Sequence, residues 1–181
     1  GGKYYFYKNE GLQNQSVLYS SDKLGGEEKV ILDPNTFSED GTVALSGTYF
    51  NHGGNLLGYA KSIGGSDWKE FYIKDLSTGE DRKDHLQWIK FSGMAWAGDG
   101  FYYSRYPKPE EGGELDASNE NAKVYYHQLG TEQKMDNLIF SDANNPQISN
   151  NISTTDDENY AVLYRWKGTS GTALYIAPVS D

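Results

Sequence analysis

The chain has no cysteine, only two methionines and five prolines, and three histidines in 181 residues. Without cysteine there is no disulfide scaffold, no thiolate nucleophile and no thiolate-ligated metal, and cytoplasm and periplasm suit the chain equally. Basic side chains are scarce too. Sixteen Lys plus Arg face 26 Asp plus Glu, a formal charge of -10, so nucleic-acid backbones and anionic membrane surfaces are repelled. No apolar run approaches the roughly 18 residues of a membrane span. The chain begins Gly1-Gly2-Lys3 with neither a methionine nor a signal peptide, and we expect a soluble protein whose start is cut rather than native.

Aromatic residues and glycine, by contrast, are plentiful: 15 Tyr and 21 Gly, with aromatics at 14%. Disordered acidic chains are poor in aromatics, so this one folds, and its length fits one domain or a piece of one. The apolar residues come in short runs bounded by Gly, Asn, Asp and Ser, with no sustained period of 3.6, which predicts strands and almost no helix. The segments around Tyr19, Tyr72, Tyr125 and Tyr175 align at spacings of 53, 53 and 50 residues. That is about the blade length of a β-propeller.

A second strand precedes each aligned segment, at residues 4–7, 56–59, 101–103 and 160–163. Each pair reads as a hairpin, with Tyr7, Tyr59, Tyr103 and Leu163 as equivalent positions. Inner strands are predicted at 43–50, 91–96 and 147–153, and outer strands at 29–32, 86–89 and 137–140. The total is about 14 strands in blade-like units of about 1–40, 41–90, 91–142 and 143–181. The first unit lacks an inner strand and the last an outer one. Propellers close with roughly 4 to 8 blades, so the expected fold is an all-β propeller fragment of about four blades, two complete and two partial. The acidic Pro and Gly segment 107–114 reads as an insertion in the third hairpin.

Motifs for chemistry are sparse. His52, His85 and His127 lie 33 and 42 residues apart, without the close pairing that puts two imidazoles on one metal. Gly168-Thr169-Ser170-Gly171-Thr172 fails the spacing of a nucleophile elbow and reads as a hairpin turn. Asp116-Ala117-Ser118-Asn119-Glu120 alternates oxygen donors but lacks the glycine and the bidentate glutamate of a calcium loop. Glu110-Glu111 and Asp156-Asp157 fall in loops with nothing to set them across a sugar. No phosphate-binding glycine motif occurs, and no cofactor or metal is expected. Most aromatics sit at strand positions and read as core. Trp68, Trp88 and Trp166 are the ones free to face a groove or a neighbouring domain.

Several ordered motifs resemble the prolyl oligopeptidases. They are Gly11-Leu12-Gln13-Asn14-Gln15-Ser16-Val17-Leu18-Tyr19, Leu32-Asp33-Pro34-Asn35, Asp40-Gly41-Thr42-Val43-Ala44-Leu45, Gly65-Ser66-Asp67-Trp68, Lys90-Phe91-Ser92-Gly93-Met94-Ala95-Trp96 and Lys123-Val124-Tyr125-Tyr126-His127-Gln128-Leu129-Gly130-Thr131. The resemblance covers essentially the whole chain and implies the first half or so of a seven-bladed propeller. In that family the propeller sits over an α/β-hydrolase domain carrying Ser, Asp and His, and gates it by interdomain opening.

The resemblance also implies site residues. Asp67 is similar to an acid beside the substrate-binding arginine of the hydrolase domain, its alternative role being an Asx-type turn cap. Phe91 resembles an aromatic lining the substrate pocket, with a core position as the alternative. Arg165 resembles an arginine facing the cavity. Gly93 stands where relatives often carry Cys, and Ser46 where they often carry Arg. The expected function is a non-catalytic fragment of the gating propeller, in a parent serine peptidase that cleaves short peptides after proline. The alternative is a self-standing module binding protein or carbohydrate. Unpaired sheet edges further predict self-association.

Overall fold

In the computed structural model, the described residues, 2–113 and 118–179, form fourteen strands in four antiparallel sheets. The first sheet orders β1 (Tyr4–Lys8), β2 (Val17–Ser21) and β3 (Lys29–Leu32) side by side. The second holds β4 (Val43–Phe50), β5 (Leu56–Ile63), β6 (Lys69–Asp75) and β7 (Asp81–Ile89), and the third β8 (Ala95–Ala97), β9 (Gly100–Arg105), β10 (Lys123–Gln128) and β11 (Asn137–Phe140). The last holds β12 (Ser149–Thr154), β13 (Tyr160–Lys167) and β14 (Ser170–Pro178). Two short 3-10 turns, Pro34–Thr36 and Gln133–Met135, are the only helical elements among the described residues. None is long and apolar enough to cross a membrane. An all-β propeller fragment with two four-stranded and two three-stranded sheets is what the 53-residue period predicts.

Three local readings need correction. The strand expected over 91–96 is only Ala95–Ala97, because Phe91 has φ +52° and breaks the extended run. The outer strand expected at 86–89 begins already at Asp81. Tyr59, Tyr103 and Leu163 do pair with Tyr72, Tyr125 and Tyr175, but in the first sheet Tyr19 pairs with Phe6, one residue before Tyr7. The turn at 168–169 is indeed a hairpin between β13 and β14.

Successive side chains of a strand point to opposite faces, and the central strands here are buried on both. Leu57 and Tyr59 of β5 join Leu18 and Leu32 of the first sheet, while Leu56 and Ala60 turn the other way to join Phe101, Tyr103 and Trp96 of the third. Tyr102 and Val124 then meet Ile152 of the fourth sheet. The core is thus three slabs, one between each pair of neighbouring sheets, as expected of blades packed face to face. Two glycines are required by this packing. A Cβ on Gly100 would lie 2.1 Å from the backbone oxygen of His127, and one on Gly58 2.2 Å from the Met94 sulfur.

A polar clasp joins the second and third sheets. His127, fully buried on β10, bonds through Nδ1 to Asp136 at 2.7 Å and through Nε2 to Asp84 of β7 at 3.1 Å. Asp84 also accepts the Gly130 N–H and lies 3.4 Å from Arg82, and Tyr103 donates its hydroxyl to Asp136.

Candidate functional site

Because strands alternate in direction, the connections at 64–68, 90–94, 106–113 with 118–122, 141–148 and 168–169 gather at one end of the sheets, here termed the upper end. The turns at 51–55, 76–80, 98–99, 129–136 and 155–159 gather at the other. Hydrogen bonds across the upper end confirm the grouping: Lys90 Nζ donates to Asn119 Oδ1 at 3.1 Å, and Asn121 N–H to the Pro146 carbonyl at 2.7 Å. The residues singled out in the sequence lie here.

Asp67 sits in the link between β5 and β6, exposed, with no hydrogen bond or ion pair among the described residues. The turn is capped by Ser66 instead, whose hydroxyl accepts the Trp68 N–H at 3.1 Å. Phe91 is 49% exposed at φ +52°, with its ring edge-on to Tyr106 at 6.4 Å. A bulky residue at positive φ is strained, and such strain concentrates at working sites. Arg165 is half-buried, its Nε donating to Asn150 Oδ1 at 3.0 Å and Nη2 to Asp142, with the guanidinium 4.9 Å from the Phe140 ring. Hydrogen bonding from Arg165 holds the Asp142 carboxyl below the usual carboxylate range.

Beside Asp67 in the chain, Trp68 joins an aromatic cluster that reaches Phe91 and that sequence reasoning did not assemble. Trp68 meets Trp88 edge-on at 5.6 Å and Tyr106 at 6.4 Å, and Lys90 Nζ sits 4.0 Å from the centre of the Trp68 ring. Phe91 completes the cluster through Tyr106. Arg165 belongs to a separate group on the fourth sheet.

Trp88 owes its position to a β-bulge. Lys69 pairs with Ile89 and Phe71 with Leu86, so Gln87 and Trp88 together face Glu70. At φ +64° the Trp88 carbonyl accepts the Tyr106 N–H at 3.0 Å, tying the two sheets together. Bulges of this kind re-aim side chains beside functional sites. Its signal was in the sequence: Leu86 and Ile89 are both fully buried, a spacing of three that strict alternation forbids.

The remaining sequence candidates are not assembled into chemistry. Both ring nitrogens of His127 are taken by carboxylates. His85 stacks on Tyr72 at 4.7 Å and bonds Glu70 at 2.9 Å, and His52 lies exposed in a lower turn. No Ser–His hydrogen bond and no cluster of three metal-ligating side chains occur among the described residues. The oxygen-rich run beginning at Asp116 lies partly outside the described residues.

Comparison with known proteins gives one consistent answer. Residues 1–181 match the family model described as "Prolyl oligopeptidase, N-terminal beta-propeller domain". The chain is 47% identical to the prolyl endopeptidase of Elizabethkingia meningoseptica over 99% of its own length and 26% of that protein's. It is 35% identical to prolyl oligopeptidase A of Galerina marginata over 93% of its length and 26% of that protein's. Among solved structures, prolyl oligopeptidase B of Galerina marginata bound to a 35-residue hydrolysis and macrocyclization substrate superposes with a TM-score of 0.88 at 31% identity, covering 98% of this chain and 27% of that one. A prolyl endopeptidase studied for interdomain dynamics in catalysis and specificity gives 0.88 at 33% identity, covering 99% and 25%. The chain therefore spans about a quarter of the length of the relatives it matches.

Proposed function

This chain belongs to the prolyl oligopeptidase family, matching its N-terminal β-propeller along its whole length, and we propose that it serves as part of the gating propeller of a serine peptidase that cleaves short peptides after proline. In this reading it has no peptidase activity of its own, and the Ser, Asp and His belong to an α/β-hydrolase domain of the parent polypeptide. Cytoplasm and periplasm both suit that activity.

The observation that carries the reading is the match of residues 1–181 to the family's propeller, supported by Asp67 and Phe91 both lying exposed at the upper end, Phe91 at a φ of +52°. An exposed, unpaired carboxylate is ready to orient an arginine across a domain interface by a charge-assisted hydrogen bond. An outward phenyl ring adds apolar surface to a peptide pocket. Arg165 has a narrower role. With Nε bonded to Asn150 and Nη2 to Asp142, it fixes the 141–148 connection.

Two assays test the proposal. Pure chain incubated with a chromogenic prolyl peptide should give no turnover; turnover would refute the non-catalytic assignment. In the full parent peptidase, Asp67→Asn should raise KM more than it lowers kcat, because a positioning residue acts through the substrate-binding arginine. Unchanged kinetics would remove Asp67 from the site.

A further inference from the structure

Trp88 lines two recesses, one mostly apolar and the other cationic. One, of about 260 Å³, is lined by Ile63, Ser66, Trp68, Gln87, Lys69 and Glu70. The other, of about 240 Å³, is lined by Tyr106, Tyr125, Arg105, Lys108 and Lys123, with Pro107. We propose that this pair of recesses binds an extended acidic peptide, a carboxylate entering the cationic recess while a neighbouring apolar side chain enters the apolar one.

Charge complementarity selects the occupant. The chain carries -10 overall, yet three cations converge on the second recess. Lys8, Lys74, Arg82 and Arg165 all have carboxylate partners, whereas Arg105, Lys108 and Lys123 have none within ion-pair distance among the described residues, Glu110 and Glu111 included. Aromatic rings hold two of the three. The Arg105 guanidinium lies 4.1 Å from the Tyr125 ring centre and Lys108 Nζ 5.6 Å from that of Trp88. A cation–π contact positions a cation without neutralising it, so the recess keeps its positive field for an incoming anion.

The geometry selects a peptide. Alternate side chains of an extended strand lie roughly 7 Å apart on one face, a spacing that suits two cavities sharing a single indole. Polyanions such as nucleic acid are repelled by the remaining charge. Lys90 is excluded from the site because its ammonium is committed to Trp68 and Asn119. The recesses share Trp68, Trp88 and Tyr106 with the cluster near Phe91, but the test reads binding by this chain alone, so its outcome and that of the kinetic assay on the parent are separately decided.

The test is isothermal titration of the 181-residue chain with a blocked peptide Glu-Phe-Glu-Phe-Glu and its Gln-Phe-Gln-Phe-Gln counterpart. We expect saturable binding of the acidic peptide at about 1 mM or tighter. It should weaken by about tenfold or more for the Gln peptide, and also between low and ~0.15 M salt. The triple variant Arg105→Gln, Lys108→Gln, Lys123→Gln should lose the preference for the acidic peptide. Trp88→Gly, which suits the positive φ and leaves the backbone unstrained, should weaken both peptides. Absence of saturable binding, equal binding of the two peptides, or an unchanged preference in the triple variant overturns the proposal. So does displacement of the peptide by inorganic phosphate at matching concentration, which marks a simple anion site. Should the triple variant fail to fold by circular dichroism, the two peptides on the unaltered chain decide the matter.

Discussion

His127 Nδ1 and Asp136 Oδ1 meet at 2.7 Å in a place where neither side chain reaches solvent. Burial works against the imidazolium, but the hydrogen bonds and charges of Asp136 and Asp84 outweigh it and raise its pKa to about 9. The folded-state value lies above the unfolded one of 6.5, so the clasp's stabilisation is full below about pH 6.5 and is lost as pH rises through about 9. The shift corresponds to roughly 3 kcal/mol. Asp84 is the mirror case. Its burial penalty is overcome by hydrogen bonds from His127 and Gly130 and its pKa is lowered, so its contribution fades as pH falls below the ordinary 3.8. Urea unfolding at a series of pH values should show a plateau between about pH 5 and 6.5, a decline from about 6.5 to 9, and no further contribution from this group above that. His127→Gln should cost about 3–5 kcal/mol at pH 7 and flatten the alkaline decline.

Gly100 and Gly58 separate two kinds of crowding. An added methyl at Gly100 meets a strand backbone, which cannot move without breaking the β9–β10 ladder; at Gly58 it meets the Met94 thioether, which can change rotamer. Both Ala substitutions overpack, typically by 1–3 kcal/mol, and Gly100→Ala should lie at or above the upper end with Gly58→Ala well below it. Thermal unfolding of the two variants gives the order directly.

Phe91 offers a trade between stability and activity. Its φ of +52° carries a cost of roughly 1–3 kcal/mol. Phe91→Gly relieves that strain and removes a half-exposed ring that packs on little. In the parent peptidase this variant should unfold no earlier than the unaltered protein yet show a lower kcat/KM. A stable variant with unchanged kcat/KM would leave the ring without a substrate role.

The strand β14 exposes Leu174, Tyr175 and Ile176 at 57%, 54% and 68%. Three consecutive apolar side chains in water are an association liability, and the isolated chain should self-associate with rising concentration. Ile176→Lys should shift sedimentation toward the monomer. Monomeric behaviour of the unaltered chain at millimolar concentration would argue against this.

Much of the fold was legible because strand patterns are local. The recurrence of Tyr19, Tyr72, Tyr125 and Tyr175 marked the hairpin of each sheet, and in three of the four these tyrosines pair with Tyr59, Tyr103 and Leu163, a register the sequence left open. The fourth slipped by one residue, since nothing in Tyr4-Tyr5-Phe6-Tyr7 distinguishes the two registers by composition. Asp67 and Phe91 were legible as candidates only through motif resemblance, and their exposure was not. Against the alternative roles of turn cap and core ring stand the Ser66 hydroxyl, which takes the Trp68 N–H, and the 49% exposure of Phe91.

The sequence by itself determined the repeat, the alternation that buries both faces of β5 and β9, and the acidic charge. Each depends on periods of two and about 53 residues, which are properties of the string. Tertiary structure alone decided that Trp88 would bulge and line two recesses and that His127 would find Asp84 across 43 residues. It also decided that three cations of an acidic chain would converge. Such placements depend on how one sheet packs on the next, and packing is settled by the summed volume and shape of many side chains rather than by a local pattern.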